Sequence, residues 1–156
     1  MKVLSLGALV FAVIFTDVSR AQSAQKPIND RERLIGAWHL MHIDSPGADG
    51  KPSGAVQPQG MLIYTRDGHV SVQLMYPRSA NAQSNEYVQD GYEASFGTYD
   101  LNVATHTLTH HVHGSNTREL LVGKDLLRVY QLTPDGRLII KSARPDEHWS
   151  VTWKHY

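Results

Sequence analysis

The sequence predicts an all-β fold, an eight-stranded antiparallel up-and-down barrel, and three observations carry that expectation. Eight short segments rich in Val, Ile, Tyr, Trp and Thr follow one another along the chain. Tight-turn chemistry joins several of them: Arg66-Asp67-Gly68, Thr133-Pro134-Asp135-Gly136 and Pro145-Asp146-Glu147. No crossover helix separates neighbours, so successive strands run antiparallel. A flat sheet of that size leaves two open edges, and closing it removes them. Eight strands leave an interior wide enough for packed side chains or one small ligand.

The elements follow in order. Lys2 precedes a mostly apolar run from Val3 to Phe15. As a helix that run reaches only about 20 Å, short of a bilayer's hydrocarbon core. Ser19-Arg20-Ala21 then presents small residues where a signal peptidase reads them. Residues 1–21 are therefore expected to be a secretory signal cut after Ala21, with Ser23 as the second choice. Residues 22–32 are expected to be a linker with a short helix. Asn29 can cap that helix, Glu32 lies three residues on, and Gly36 stops it. The barrel domain is expected over 33–156, with strands near 37–44, 60–65, 69–76, 92–101, 105–113, 125–133, 137–142 and 148–154. Two longer loops, Ser45 to Gln59 and Pro77 to Gly91, are expected to carry binding.

Composition excludes several functions. The 15 basic and 15 acidic residues cancel, and loss of 1–21 leaves a formal charge of −1. No cationic excess is available to neutralise phosphates, so a general nucleic-acid partner is not expected. No later segment is long and apolar enough for stable membrane insertion. Cysteine is absent, which removes disulfides, thiol nucleophiles and thiolate metal sites. No G-x-S-x-G elbow, P-loop, G-x-G-x-x-G or H-E-x-x-H is present. No cofactor is expected, and the oligomeric state is left open.

Alternation along the strands assigns the interior. Trp149, Val151 and Trp153 share a face; so do Leu138 and Ile140; so do Leu126, Arg128, Tyr130 and Leu132. An inward Arg is costly unless paired. Arg128 is either an anchor for an anionic or carbonyl-bearing ligand or half of a structural ion pair. The strand at 105–113 holds His106, His110, His111 and His113. Parity sends His110 inward with Leu108 and Val112, sets His106 near a rim, and turns His111 and His113 outward. His110 is a ligand-contacting or catalytic imidazole, or a hydrogen-bonded core histidine. His111 and His113 are a weak metal pair or merely tolerated strand residues, and no metal site is assigned.

Several segments resemble one family. They are Leu34-Ile35-Gly36-Ala37-Trp38, Gly60 to Gly68, Ser71 to Met75, Gly97-Thr98-Tyr99, Thr109-His110-His111-Val112-His113-Gly114-Ser115, and Arg128 to Ile140. Together they resemble the bacterial and fungal lipocalin-like domain family over most of 33–154. The resemblance implies a closed, calycin-type barrel whose Trp38 shuts the base. The expected function is a secreted or periplasmic binder of a small, mostly apolar molecule. Trp38, Ile63, His110, Arg128, Tyr130, Trp149 and Trp153 are the expected ligand contacts, with Met61 also on the wall. The alternative is a small barrel enzyme, an isomerase, cyclase or hydratase of a secondary metabolite. There His110 is the acid or base, and Tyr64 or Arg128 stabilises oxyanion charge.

Overall fold

The computed structural model describes residues 29–45, 58–77 and 84–156. The signal segment, its cleavage site and the centres of the two long loops lie outside the described residues. Helix α1 (Asp30–Leu34) leads into β1 (Gly36–Asp44), β2 (Gln59–Tyr64), β3 (His69–Met75), β4 (Tyr92–Asn102), β5 (Thr107–Ser115), β6 (Asp125–Leu132), β7 (Arg137–Ser142) and β8 (Ser150–His155). A one-turn 3-10 helix, Glu119–Leu121, lies between β5 and β6. Each strand pairs antiparallel with the next, and β8 pairs back onto β1, from Trp38 opposite His155 to Asp44 opposite Ser150. The ladder is a closed eight-stranded barrel, as the strand pattern predicts.

Turn lengths separate its two ends. At one end β2–β3, β4–β5 and β6–β7 are joined by residues 65–68, 103–106 and 133–136. Gly68 and Gly136 take φ of +90° and +78°, the left-handed turn position that Asp-Gly supplies. The third turn has no glycine. His106 takes φ +52° there, so β5 starts at Thr107 and His106 belongs to the turn. All links at the other end are longer.

Helix α1 plugs the tight-turn end. Asn29 Oδ1 accepts from the Glu32 amide at 2.9 Å, the cap expected at that position. Leu34 is fully buried, and its carbonyl accepts from Trp38 Nε1 at 2.9 Å. Trp38 stacks on His155 with centroids 3.6 Å apart, and His155 Nε2 donates to the Arg33 carbonyl. Tyr130 donates to Asp30, and Arg33 to the Thr133 carbonyl. Leu108 and Leu138 fill the space above this seal.

Two bulges aim the walls. Between Leu40 and His42 the β1–β8 register slips by one, leaving Met41 exposed and allowing both Leu40 and Ile43 to pack on the core. Between β4 and β5, Gly97 faces Val112 while Phe96 faces Gly114, so His113 is the extra residue. A Cβ on Gly97 would stand 1.9 Å from the His111 carbonyl oxygen, so only glycine allows this approach.

In β2 the inward residues are Gly60, Leu62 and Tyr64, which corrects the expectation that Met61 and Ile63 line the wall. Met61 is 37% exposed and Ile63 lies on the outer face beside it. The run Met61-Leu62-Ile63-Tyr64 is apolar throughout, so alternation does not decide its parity. Gly60 decides it, because its missing Cβ points at Leu74 and Leu40 inside the barrel.

On the outer face, His111 bridges three strands. Its Nδ1 donates to Asp125 at 2.7 Å on β6, and its Nε2 to Asp100 at 3.1 Å on β4. These two hydrogen bonds, Asp125 first, raise the imidazole's pKa above its ordinary 6.5. Stabilisation from a raised pKa is complete below the unfolded value and is lost as pH rises through the folded one. Wild type should therefore exceed His111→Gln in stability by about 1 kcal/mol near pH 6, the scale of a partly exposed pair. Urea titrations should show that gap closing as pH rises above 6.5 through the raised folded-state pKa; a gap constant with pH would contradict the bridge.

Candidate functional site

Above the sealed base the barrel encloses a cavity of about 240 Å³. Its apolar wall includes Leu62, Val72, Leu74, Leu126, Ile140 and Val151, from β2, β3, β6, β7 and β8. Tyr76, Tyr87, Val88 and Trp149 bound it at the long-loop end, with Ser45 and Pro58 at the described edges of the first loop. Four expected contact residues line it: His110, Arg128, Trp149 and Trp153. Three do not. Trp38 and Tyr130 are spent on the base seal, and Ile63 faces outward.

Polar groups, among them Asn85, Glu93, buried Ser95, His110 and Arg128, interrupt the apolar wall. Tyr64 Oη and His110 Nε2 share a 2.7 Å hydrogen bond. Tyr64 is 1% exposed and packs edge-on against Tyr99. Burial raises its pKa well above 10. Burial, then Arg128, lowers His110 to about 3, so the imidazole is neutral at physiological pH. Trp153 lines the cavity as well, and its buried indole N–H has no partner among the described residues.

Arg128 is the only charged side chain that is buried among the described residues, at 7% exposure. Its guanidinium carbon lies 5.2 Å from the Tyr87 ring centre and 4.9 Å from that of Trp149. Aromatic faces attract a cation and offset part of its desolvation. Among the described residues its guanidinium makes one hydrogen bond, a long one of 3.4 Å to the Leu127 carbonyl. No carboxylate among the described residues stands within 4.0 Å of it. Glu93, on β4, faces the same cavity, and burial pushes its pKa up to about 7, Arg128 pulling the other way.

A polar latch holds the two rings. Glu147 accepts from Tyr87 Oη at 3.1 Å, from Trp149 Nε1 at 3.2 Å and from Arg144. Arg144 also pairs with Glu86 at 2.9 Å. The 84–91 and 143–149 links are thereby tied together over Arg128.

Sequence reasoning missed Glu93, Tyr87 and Glu147. Tyr92-Glu93-Ala94-Ser95 shows no alternation of its own, although extending the parity of inward Tyr99 backwards would have placed Glu93 and Ser95 inside. Tyr87 and Glu147 lie in links, where no period exists to read. His111, with both ring nitrogens bonded to carboxylates, and exposed His113 stand on the outer wall. Among the described residues no group of three or more His, Asp or Glu is placed to hold a metal ion. None of the described helices is long and apolar enough to cross a membrane.

A family model described as a lipocalin-like domain matches residues 35–155. No curated protein matches the chain. Among solved structures, a crystal structure of a mutant of the fluorescent protein UnaG is 13% identical. That match covers 80% of this chain and 97% of the other, with a TM-score of 0.41.

The latch has a direct optical readout. Trp38 and Trp153 are 1% and 2% exposed, whereas Trp149 is only part-buried. Glu147→Ala should raise acrylamide quenching of tryptophan emission about twofold while far-UV circular dichroism stays constant, because freed loop side chains open on a fast timescale. Unchanged quenching would show that Glu147 does not hold Trp149.

Proposed function

This chain belongs to the lipocalin-like domain family, and we propose that it binds a small, mostly apolar molecule inside its barrel. The carrying observation is the cavity of about 240 Å³, sealed at the helix end and walled by aliphatic and aromatic side chains. Such a pocket with a few inward polar groups suits an apolar ligand whose orientation those groups set. His110, Arg128, Trp149 and Trp153 are the proposed contacts, and Tyr64 holds the His110 ring in place. We place the site outside the cytoplasm, with the signal segment removed after Ala21.

The acid–base alternative draws on the 2.7 Å contact between Tyr64 and His110. An imidazole with a pKa of about 3 is a weak base near neutral pH, where a catalytic base works best with a pKa near the working pH. Binding is the better-supported reading.

Native mass spectrometry of the protein purified from its own host tests both halves. The chain mass should correspond to a start at Gln22, and an added mass of a few hundred daltons should accompany it. Leu126→Trp, which puts a large ring into the cavity, should remove that added mass at a stability cost of about 1–3 kcal/mol. An added mass retained by this variant places the ligand elsewhere, and a chain that keeps residues 1–21 overturns the proposed location.

A further inference from the structure

We infer that the cavity takes its ligand as a monocarboxylate seated on Arg128, and that ionisation of Glu93 drives that ligand out. The inference rests on the binding reading above and names its ligand class.

Arg128 carries a full charge and five N–H donors into the barrel, and among the described residues a long contact to one carbonyl leaves most of them unanswered. The ring centres of Tyr87 and Trp149 lie 5.2 Å and 4.9 Å from its guanidinium carbon, and neither ring supplies a negative charge to balance it. A carboxylate presents two oxygens that match two parallel guanidinium donors. Among the described lining residues Arg128 is the one cation, and it balances one negative charge; a phosphate dianion would bring an excess. The aliphatic wall, Leu62, Val72, Leu74 and Leu126 among it, suits a hydrocarbon body behind the carboxylate.

Glu93 supplies the proton linkage. It lines the same cavity without touching Arg128. The titratable and charged groups facing it are Tyr76 after β3, Tyr87 on the 84–91 link, His110 on β5 with Tyr64 behind it, and Arg128 on β6. Tyr64 and Tyr76, raised by burial, and His110, lowered by it, are neutral near pH 7. β1, β7 and β8 face the cavity with Ile43, Ile140, Val151 and Trp153, which do not titrate. Among the described residues the charge inside is therefore set by Arg128 and Glu93. With Glu93 protonated, the cavity is cationic and a carboxylate neutralises it. With Glu93 ionised, the cavity is already neutral and a carboxylate is a second anion in an apolar space. Burial pushes Glu93 to about 7, which sets the changeover near neutral pH. Binding of a carboxylate thus takes up a proton, and affinity falls as pH rises.

Calorimetry and tryptophan emission with two matched pairs, decanoate with 1-decanol and 2-naphthoate with 2-naphthalenemethanol, test this on the mature protein. The acids should bind at least about tenfold tighter than the alcohols near pH 6, a difference one charge-assisted bidentate contact can supply. Above pH 7 acid affinity should fall by up to about tenfold per pH unit, the limit for one linked proton. Titrations in buffers of different ionisation heat should show proton uptake. Glu93→Gln should bind the acids with no pH dependence, and Arg128→Gln should erase the preference over the alcohols. Equal binding of acids and alcohols overturns the carboxylate assignment but leaves the binding reading intact. A preference for acids that does not change with pH overturns the role of Glu93. Failure of all four probes to bind overturns the binding reading together with this one.

Discussion

Pairing of β8 with β1 is the constraint on which everything else rests. It converts a row of hairpins into a closed wall with no free edge. Closure gives every strand one inward face, and only then does a side chain such as Arg128 have an interior to enter. Closure also leaves two ends to be dealt with. Three tight turns, α1 and the Trp38–His155 stack shut one of them, and Trp38 spends its indole N–H on the Leu34 carbonyl in doing so. The large aromatic groups left over for the other end, Tyr87 and Trp149, frame the cavity there.

The polar interior is organised by a single buried cation. Arg128 lies on an apolar face between Leu126 and Tyr130, and it costs desolvation that its ring neighbours offset only in part. Its field contributes to the low pKa of His110 and opposes the upward push on Glu93. Burial is the larger cause in both cases: it keeps His110 neutral with the guanidinium's help and raises Glu93 to about 7 against the guanidinium's pull. Glu147 acts a layer further out, fixing the rings that flank Arg128 through hydrogen bonds to both.

Strand number, order and closure were legible because each rests on local rules: β-rich segments, Asp-Gly turns and the absence of crossover helices. The inward positions of Arg128, His110 and Trp153 were legible from alternation in strands with distinct faces. Ile63 was misplaced because four consecutive apolar residues in β2 have no period, and the deciding contact, Gly60 against Leu74, is non-local. Trp38 was expected both to shut the base and to touch the ligand; α1 takes it and Tyr130 for the seal, a contact that the helix's own residues do not reveal. Glu93 and the Glu147 latch depend on which loops meet at the open-loop end, a matter of barrel geometry that no single segment records. The two bulges, with Met41 and His113 as their extra residues, likewise belong to pairs of strands and not to either strand alone.

The most direct measurement is the ¹³C carboxyl titration of Glu93, followed by NMR in the free protein and with decanoate bound. A carboxyl that shares a cavity with Arg128 without pairing to it should titrate near 7 when free and higher when decanoate occupies the guanidinium. A midpoint at or below the ordinary 4.5, unmoved by decanoate, would mean that Glu93 and Arg128 form a closed ion pair and that the barrel holds no vacant charge for a ligand.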